Sequence, residues 1–401
     1  MPGLLFLSQR IPYPPNKGEK IRAYQILKYL TQHFAVHLGC LVDDKLDEPH
    51  EATVAAMCAS SYFAHLDRSR ARFTCLSGLL TGEPLSVTFY RDAGLQNWVR
   101  EVVAREKPEV IFVYSSNMAP YILDLRANVP RVVVDLVDVD SEKWRAYAEA
   151  GQGLMRFVHR REWHKTAALE ARIARECDWC SFVSDDEAAL FARGNPGAVS
   201  KIRGISNGVD HHYFDPSLPF EAPFATDHAN FVFTGTMDYP PNVAAVRWFA
   251  EEILPAIQGR LPDAQFHIVG TDPSPEVTAL AQRRGVFVTG RVADVRPYLA
   301  YASAAVAPMR IGRGIQNKVL EAMAMARPVV VTTAALTGIN AQPGVEVLVA
   351  DDGAGFVQAC LQVIQTAAPG MGQAARGRVL ADFVWEQRLR GFNDLLGFLL
   401  S

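Results

Sequence analysis

The sequence predicts an α/β protein of two doubly wound halves, each a parallel sheet with helices on both faces. Three observations predict it. Strand-like apolar runs alternate with helix-like segments from one end of the chain to the other, the pattern of repeated βα units. A proline-rich stretch without periodicity, at 216–223, separates two such series as a linker does. The length, 401 residues, is large for one ordinary core and suits two.

The elements follow in order. Residues 4–7, LLFL, read as the first strand. A Pro/Gly loop comes next, and then Ile21, Tyr24, Leu27 and Leu30 mark one face of a helix. Further strands are expected at 36–42, 110–114, 132–136 and 181–183. Ser184 and Glu187 have the spacing of a capping box, so a helix starts just after the last of these. The second series places strands at 230–234, 265–270, 286–289, 304–307, 329–332 and 347–349. Residues 378–400 read as a helix with Trp385 and Phe392 available for packing. The expected domains are 1–205 and 206–377, with the tail 378–401 returning toward the first. In such sheets, ligands bind beyond the carboxyl ends of the strands.

With 49% hydrophobic and 21% charged residues, the chain is globular rather than disordered or fibrous. A formal charge of -3 removes any global attraction to nucleic acid, so an anion site must be local. No apolar run approaches the roughly 20 residues of a membrane span. Six cysteines are scattered, and only Cys177 and Cys180 have a CxxC spacing. That pair precedes a strand instead of opening a helix, so a structural role is expected. Dispersed thiols, and an N-terminus without a signal-peptide pattern, predict the cytoplasm.

The most informative segment runs from Arg310 to Glu321 and continues as an Ala/Met helix into a proline and a β-branched strand. Gly312 and Gly314 allow close backbone approach. Ile315, Gln316 and Asn317 would present N–H groups at a helix start, where the dipole favours an anion. Lys318 and Glu321 are three apart and share a helix face. Lys318 and the amides suit phosphate, and Glu321 suits a ribose diol. Arg310 and Arg313 add charge nearby.

Other stretches are less specific. The loop holding Asn16, Lys17 and Gly18 lies between the first strand and first helix, the position of a phosphate-binding turn, and Lys17 or Gly18 would close over a diphosphate. Asp135, Asp138 and Asp140 alternate, but Asp140 with Ser141 reads as a helix cap and Asp138 as an orienter of an acceptor hydroxyl; no metal is expected. Residues 155–176 form a basic amphipathic helix carrying Arg156, Arg160, Arg161, Arg172 and Arg175, and a solvated face is preferred over a lipid contact. SNGVD at 206–210 is a turn, and Gly235 with Thr236 ends a strand in a glycine turn.

Taken in order, the Gly18 loop, SNGVD, FTGT at 233–236, VTGRVADVRPYL at 288–299, GIQNKVLEAMAMARPVV at 314–330 and the Trp385 tail resemble the retaining glycosyltransferases of family 4. PYPPNKGEKIRAY and DVDSEKW are more particularly similar to bacterial sugar transferases associated with exopolysaccharide and PEP-CTERM protein-sorting loci. The resemblance implies the GT-B fold, two Rossmann-like domains facing across a cleft. It implies a nucleotide-diphosphate sugar of UDP or GDP type as donor, no further cofactor and no metal. A glycan or lipid-linked sugar is the implied acceptor, with peripheral contact at the inner membrane face. Glu321 matches the glutamate that contacts the ribose, Gly314 and Ile315 match the loop whose amides meet the donor phosphates, and Arg291 with Val292 lies where the base is gripped.

Two positions depart from the family. Arg313 stands where a second acidic residue often contacts the donor sugar, and Met237, Asp238 and Tyr239 follow Thr236 where Arg and Lys commonly hold the diphosphate. Arg310 and Lys318 are then expected to carry that charge. A sugar-nucleotide epimerase uses the same fold, and a catalytically silent binding homologue is a further alternative; SNGVD and KVLEAMA favour transfer.

Overall fold

A computed structural model describes residues 1–15, 18–75, 78, 82–311, 314–366 and 369–397. The chain divides into two units, Met1–Ser206 with Leu389–Ser401, and Asn207–Arg388.

The first unit is built on seven strands: β1 Gly3–Ser8, β2 Ala35–Val42, β3 Ser60–His65, β4 Val110–Tyr114, β5 Arg131–Val137, β6 Trp179–Phe182 and β7 Ile202–Gly204. Their order is β3-β2-β1-β4-β5-β6-β7, all parallel. The second unit has β8 Asn230–Thr234, β9 Gln265–Val269, β10 Val286–Gly290, β11 Ala304–Ala307, β12 Val329–Val331 and β13 Leu348–Val349. Its order, β10-β9-β8-β11-β12-β13, is again all parallel. In both sheets the order in which strands are added thus reverses once, between β1 and β4 and between β8 and β11, the doubly wound arrangement the sequence predicts. Helices cover both faces, which is why residues 4–7 of β1 and the whole of β12 read as uninterrupted apolar runs and are buried.

Two strands of the first sheet, β3 and β7, are not visible as apolar runs. SSYFAH in β3 is only partly buried at the sheet edge, and β7 has three residues, IRG. Neither presents the continuous apolar signature of an inner strand. The expected tail helix is also broken. Pro369–Asp382 is followed by the separate helices Trp385–Leu389 and Asn393–Leu396. In the first unit Phe392 packs edge-on against Phe112 at 5.2 Å, and Arg131 Nη1 donates to the Leu395 carbonyl at 3.2 Å. In the second, Trp385 is buried and Val209 N–H donates to the Phe383 carbonyl at 2.7 Å.

Two capping expectations change. The helix Asp140–Ala150 has Val139 at its N-cap with no side-chain hydrogen bond, and Ser141 Oγ donates to Glu170 at 2.5 Å instead. Ser184 does cap Asp185–Gly194 by accepting from the Glu187 N–H at 3.1 Å, but Glu187 accepts from the Val139 N–H at 2.9 Å, so its carboxylate ties two helices together. Cys177 and Cys180 are free and buried. Burial pushes the Cys177 thiol up to about 12 and Cys180 higher still, which suits a packing role.

Candidate functional site

In an open parallel sheet the point where strand order reverses leaves a crevice at the carboxyl ends, because the two flanking loops turn to opposite faces. In the second unit those loops follow β8 and β11. Gly235 and Thr236 lie in the first, as the sequence predicts. Gly270, in the loop after β9, packs against that turn so closely that a Cβ there would stand 1.6 Å from the Gly235 carbonyl oxygen. Only glycine fits. Met237 N–H donates to the Thr271 carbonyl at 2.8 Å and locks the two loops together.

The helix Asn317–Ala324 starts beside this turn, with Gln316 at its N-cap in extended conformation and without a side-chain cap bond. Gly314 has φ 63°, the left-handed conformation that lets the chain double back into the helix. Ile315 is buried, Asn317 Oδ1 accepts from Asn207 Nδ2 of the SNGVD turn at 3.3 Å, and Gln316 Oε1 accepts from Lys318 at 3.3 Å. Gly312 and Arg313 lie outside the described residues, as do Asn16 and Lys17 of the N-terminal loop.

Lys318 is the centre of the arrangement. Its Nζ donates to Asn242 Oδ1 at 3.0 Å, approaches Met309 Sδ at 3.5 Å and sits 5.0 Å from the Phe233 ring centroid. Asn242 Nδ2 in turn donates to the Thr236 carbonyl at 2.9 Å. Burial brings the Lys318 ammonium down to about 8, against the upward pull of Glu321. Burial likewise raises Glu321 to about 7, against the downward pull of Lys318. A cation and a carboxylate, both half-buried and both shifted toward neutrality, make this a candidate site for polar and charged ligand groups.

The other predicted residues of this unit are placed as follows. Arg310 is exposed, with its guanidinium 4.1 Å above the Trp248 ring. Arg291 is exposed and Val292 packs on the core. Close to them is a group that sequence reasoning missed. Arg296 stacks on Tyr213 at 3.8 Å and forms an ion pair with Asp294 at 2.7 Å, and Tyr213 Oη donates to Asp294 at 3.4 Å. Burial raises the Tyr213 hydroxyl, with Asp294 and Glu321 adding to it. Asn242 was missed too. Its only sequence signal is a polar residue in the first turn of a proline-started helix, Pro240–Trp248.

In the first unit the reversal lies between β1 and β4. Ser115 Oγ donates to Gln9 Oε1 at 2.9 Å, and Tyr114 Oη donates to the Glu19 carbonyl at 2.8 Å, beside Gly18 at the start of the helix Gly18–Leu30. Arg10 Nε pairs with Asp43 at 3.0 Å. None of Gln9, Arg10 or Ser115 was predicted; an apolar strand's polar end carries no distinctive spacing.

Asp138 follows a strained turn. Val137 has φ 69°, rare for a β-branched residue, and the Asp138 N–H donates to the Leu136 carbonyl at 2.9 Å. Asp135 supports the turn from below. It is fully buried, accepts from Arg22 Nε at 2.7 Å, from Ser181 Oγ at 3.1 Å and from the Val137 N–H at 3.4 Å. The alternating aspartates therefore do not converge on one point: Asp135 is spent on Arg22, while Asp138 and Asp140 share Lys143 at 2.9 and 3.1 Å. Among the described residues no group of three His, Cys, Asp or Glu is arranged to hold a metal.

Residues 228–366 match the family model described as glycosyl transferases group 1. Among curated proteins none matches this sequence. Solved structures do match over nearly the full length. Sucrose-phosphate synthase from Thermosynechococcus elongatus superposes with a TM-score of 0.71 at 16% identity, covering 98% of each chain. HepE of Anabaena, in complex with UDP and glucose, gives 0.68 at 14% identity with 100% of each chain covered. WaaG, a glycosyltransferase involved in lipopolysaccharide biosynthesis, gives 0.62 at 13% identity over 98% of this chain and 100% of its own. Residues 228–366 thus carry a glycosyl transferases group 1 domain in a chain of GT-B fold, and the protein is an enzyme of the transferase class.

Proposed function

We propose that the protein moves a hexose from a nucleotide-diphosphate sugar to a glycan or lipid-linked acceptor, with retention of configuration. The observation that carries this reading is the Lys318 site: a half-buried ammonium held by Asn242 at the strand reversal, one helix turn from Glu321 and next to the start of Asn317–Ala324, which has no side-chain cap bond. A diphosphate needs positive charge and N–H donors, and a ribose needs an acceptor for its diol. Both are present on one helix. The UDP in the HepE complex supports uracil as the base to try first.

In this reading the acceptor oxygen attacks the anomeric carbon from the face the diphosphate leaves. The bond from that carbon to the phosphate oxygen breaks, the new glycosidic bond forms, and the acceptor proton passes to a phosphate oxygen. Lys318, Arg310 and the helix amides stabilise charge on the departing diphosphate. Preorganised donors of this kind lower a barrier by roughly 3–4 kcal/mol each. In the first unit, Asp138 is the residue proposed to orient the acceptor hydroxyl and Gly18 the one proposed for a phosphate loop. A polysaccharide at the cytoplasmic membrane face is the proposed product.

The test is thermal stability with UDP, GDP, ADP and CMP, on the wild type and on Glu321→Ala, followed by sugar transfer from the nucleotide sugar selected. A ligand at about 100 times its Kd adds roughly 2.7 kcal/mol. Stabilisation of the wild type by one diphosphate, lost in the variant, supports the reading. No stabilisation by any of them overturns it. An epimerised, untransferred sugar would replace transfer by epimerisation.

A further inference from the structure

In the first unit, the stretch that joins β5 to helix Asp140–Ala150 is held at every second residue by a buried carboxyl group. Val137 N–H donates to Asp135 at 3.4 Å, Val139 N–H to Glu187 at 2.9 Å and Ser141 N–H to Glu170 at 3.1 Å. These three acids come from three different elements and are 0%, 9% and 2% exposed in that order. Burying a carboxyl group is costly unless it is bonded, and here each of the three is bonded to this short backbone. Strain lies at the same place. Val137 at φ 69° and Ser115 at φ 85°, at the carboxyl ends of the paired strands β5 and β4, both adopt the left-handed region, and Ser115 N–H donates to the Asp135 carbonyl at 2.8 Å. Such backbone persists where its surroundings over-determine it, and it gathers where a side chain must be aimed. The side chain this stretch presents is Asp138.

We propose that Lys143 is a positioning residue for the acceptor: it clamps Asp138 Oδ2 and leaves Oδ1, among the described residues, to receive the acceptor hydroxyl, a role that rests on the transferase reading above. Lys143 Nζ donates to Asp138 Oδ2 at 2.9 Å and to Asp140 Oδ1 at 3.1 Å. The second bond is the ordinary pairing of residues three apart on a helix. The first is not. Asp138 lies outside the helix, five positions from Lys143, and it is the left-handed turn at Val137 that brings its carboxylate within reach of Nζ. Desolvation works against the Lys143 ammonium, but Asp140 and Asp138 outweigh it and raise it above the usual lysine range, so the clamp stays charged. Without that cation the two neighbouring carboxylates repel each other, and Asp138 is drawn toward water. The backbone is fixed separately by the three buried carboxyl groups. Loss of Lys143 therefore moves the Asp138 side chain rather than the chain trace.

The test is a double-mutant cycle on the full chain, read as release of nucleoside diphosphate from UDP-glucose, UDP-N-acetylglucosamine and GDP-mannose, with water, glycerol or octyl glucoside as acceptor. Asp138→Asn should lower kcat on the order of 100-fold and Lys143→Met on the order of tenfold, as misplacement of a positioning group does. KM for the donor and the melting temperature should stay those of the wild type, since Lys143 touches neither the donor helix nor the core. Lys143→Arg, which keeps the charge, should recover most of the loss. The double variant should be no slower than Asp138→Asn alone, because a residue that acts through another adds nothing once that other is gone. Lys143→Met as fast as the wild type, or losses that multiply in the double variant, would overturn the proposal and leave the transferase reading standing. A change in donor KM without one in kcat would do the same. A wild type that releases no nucleotide with any pairing overturns the transferase reading, and this assignment with it.

Discussion

The Lys318 ammonium donates to Asn242 Oδ1 at 3.0 Å, and the same Asn242 side chain donates to the Thr236 carbonyl at 2.9 Å. One amide therefore fixes both the cation and the turn beside it. Asn242→Ala should lower kcat about tenfold, as misplacement of a charge-stabilising group does. It should also shift the alkaline limb of the pH profile to lower pH, because the charged ammonium loses an acceptor. Rate against pH for the two proteins checks this; an unchanged limb would assign Asn242 to the turn alone.

Lys318→Met should cost on the order of 100- to 1000-fold in kcat with little change in fold, the size of effect seen when one preorganised donor is removed. Steady-state kinetics with a circular-dichroism control reads it.

The pH dependence follows from both groups. Glu321 titrates at about 7 and Lys318 at about 8, so kcat/KM should rise through the first and fall through the second, giving a narrow optimum between them. Stability runs the other way. The Glu321 carboxyl is raised from 4.5 to about 7, so the stability its protonated form contributes is complete below 4.5 and lost as pH rises through 7. Glu321→Gln should therefore raise stability at pH 8, by on the order of 1 kcal/mol, while lowering activity. Melting curves at pH 5 and pH 8, beside donor binding, would show whether the gain is confined to the higher pH.

Arg22 and Asp135 are fully buried and joined at 2.7 Å. Arg22→Met leaves a buried carboxylate unpaired and should cost roughly 3–5 kcal/mol. Arg22→Met with Asp135→Leu should recover much of that, which a urea denaturation series on the three proteins would measure.

Gly270→Ala forces a methyl into the space of the Gly235 carbonyl. A cost of about 3 kcal/mol is expected from such overpacking, with loss of nucleotide-dependent stabilisation even where the chain still folds.

Much of the fold was legible along the chain. The inner strands β8, β11 and β12 of the second sheet announce themselves as short apolar runs ended by a glycine, proline or polar turn, because a parallel strand covered on both faces has no polar side to interrupt it. The edge strands β3 and β7 do not, since exposure lets polar residues in. Helix ends were less readable. The bond from Ser141 to Glu170 and that from Val139 to Glu187 join residues 29 and 48 positions apart, so no local spacing records them.

The candidate site divides along the same line. Lys318, Glu321 and the Gly314 turn stand within eight residues, and their chemistry follows from a helix period and a dipole that sequence spacing encodes. Asn242 and the trio of Tyr213, Asp294 and Arg296 come from segments separated by up to 83 residues. Folding alone brings them together. The type of elements was settled by short-range periodicity; the hydrogen-bond partners and the burial that moves Lys318 and Glu321 toward neutrality were decided by packing. Packing depends on which distant segment fills each neighbouring space, and a linear pattern holds no record of that.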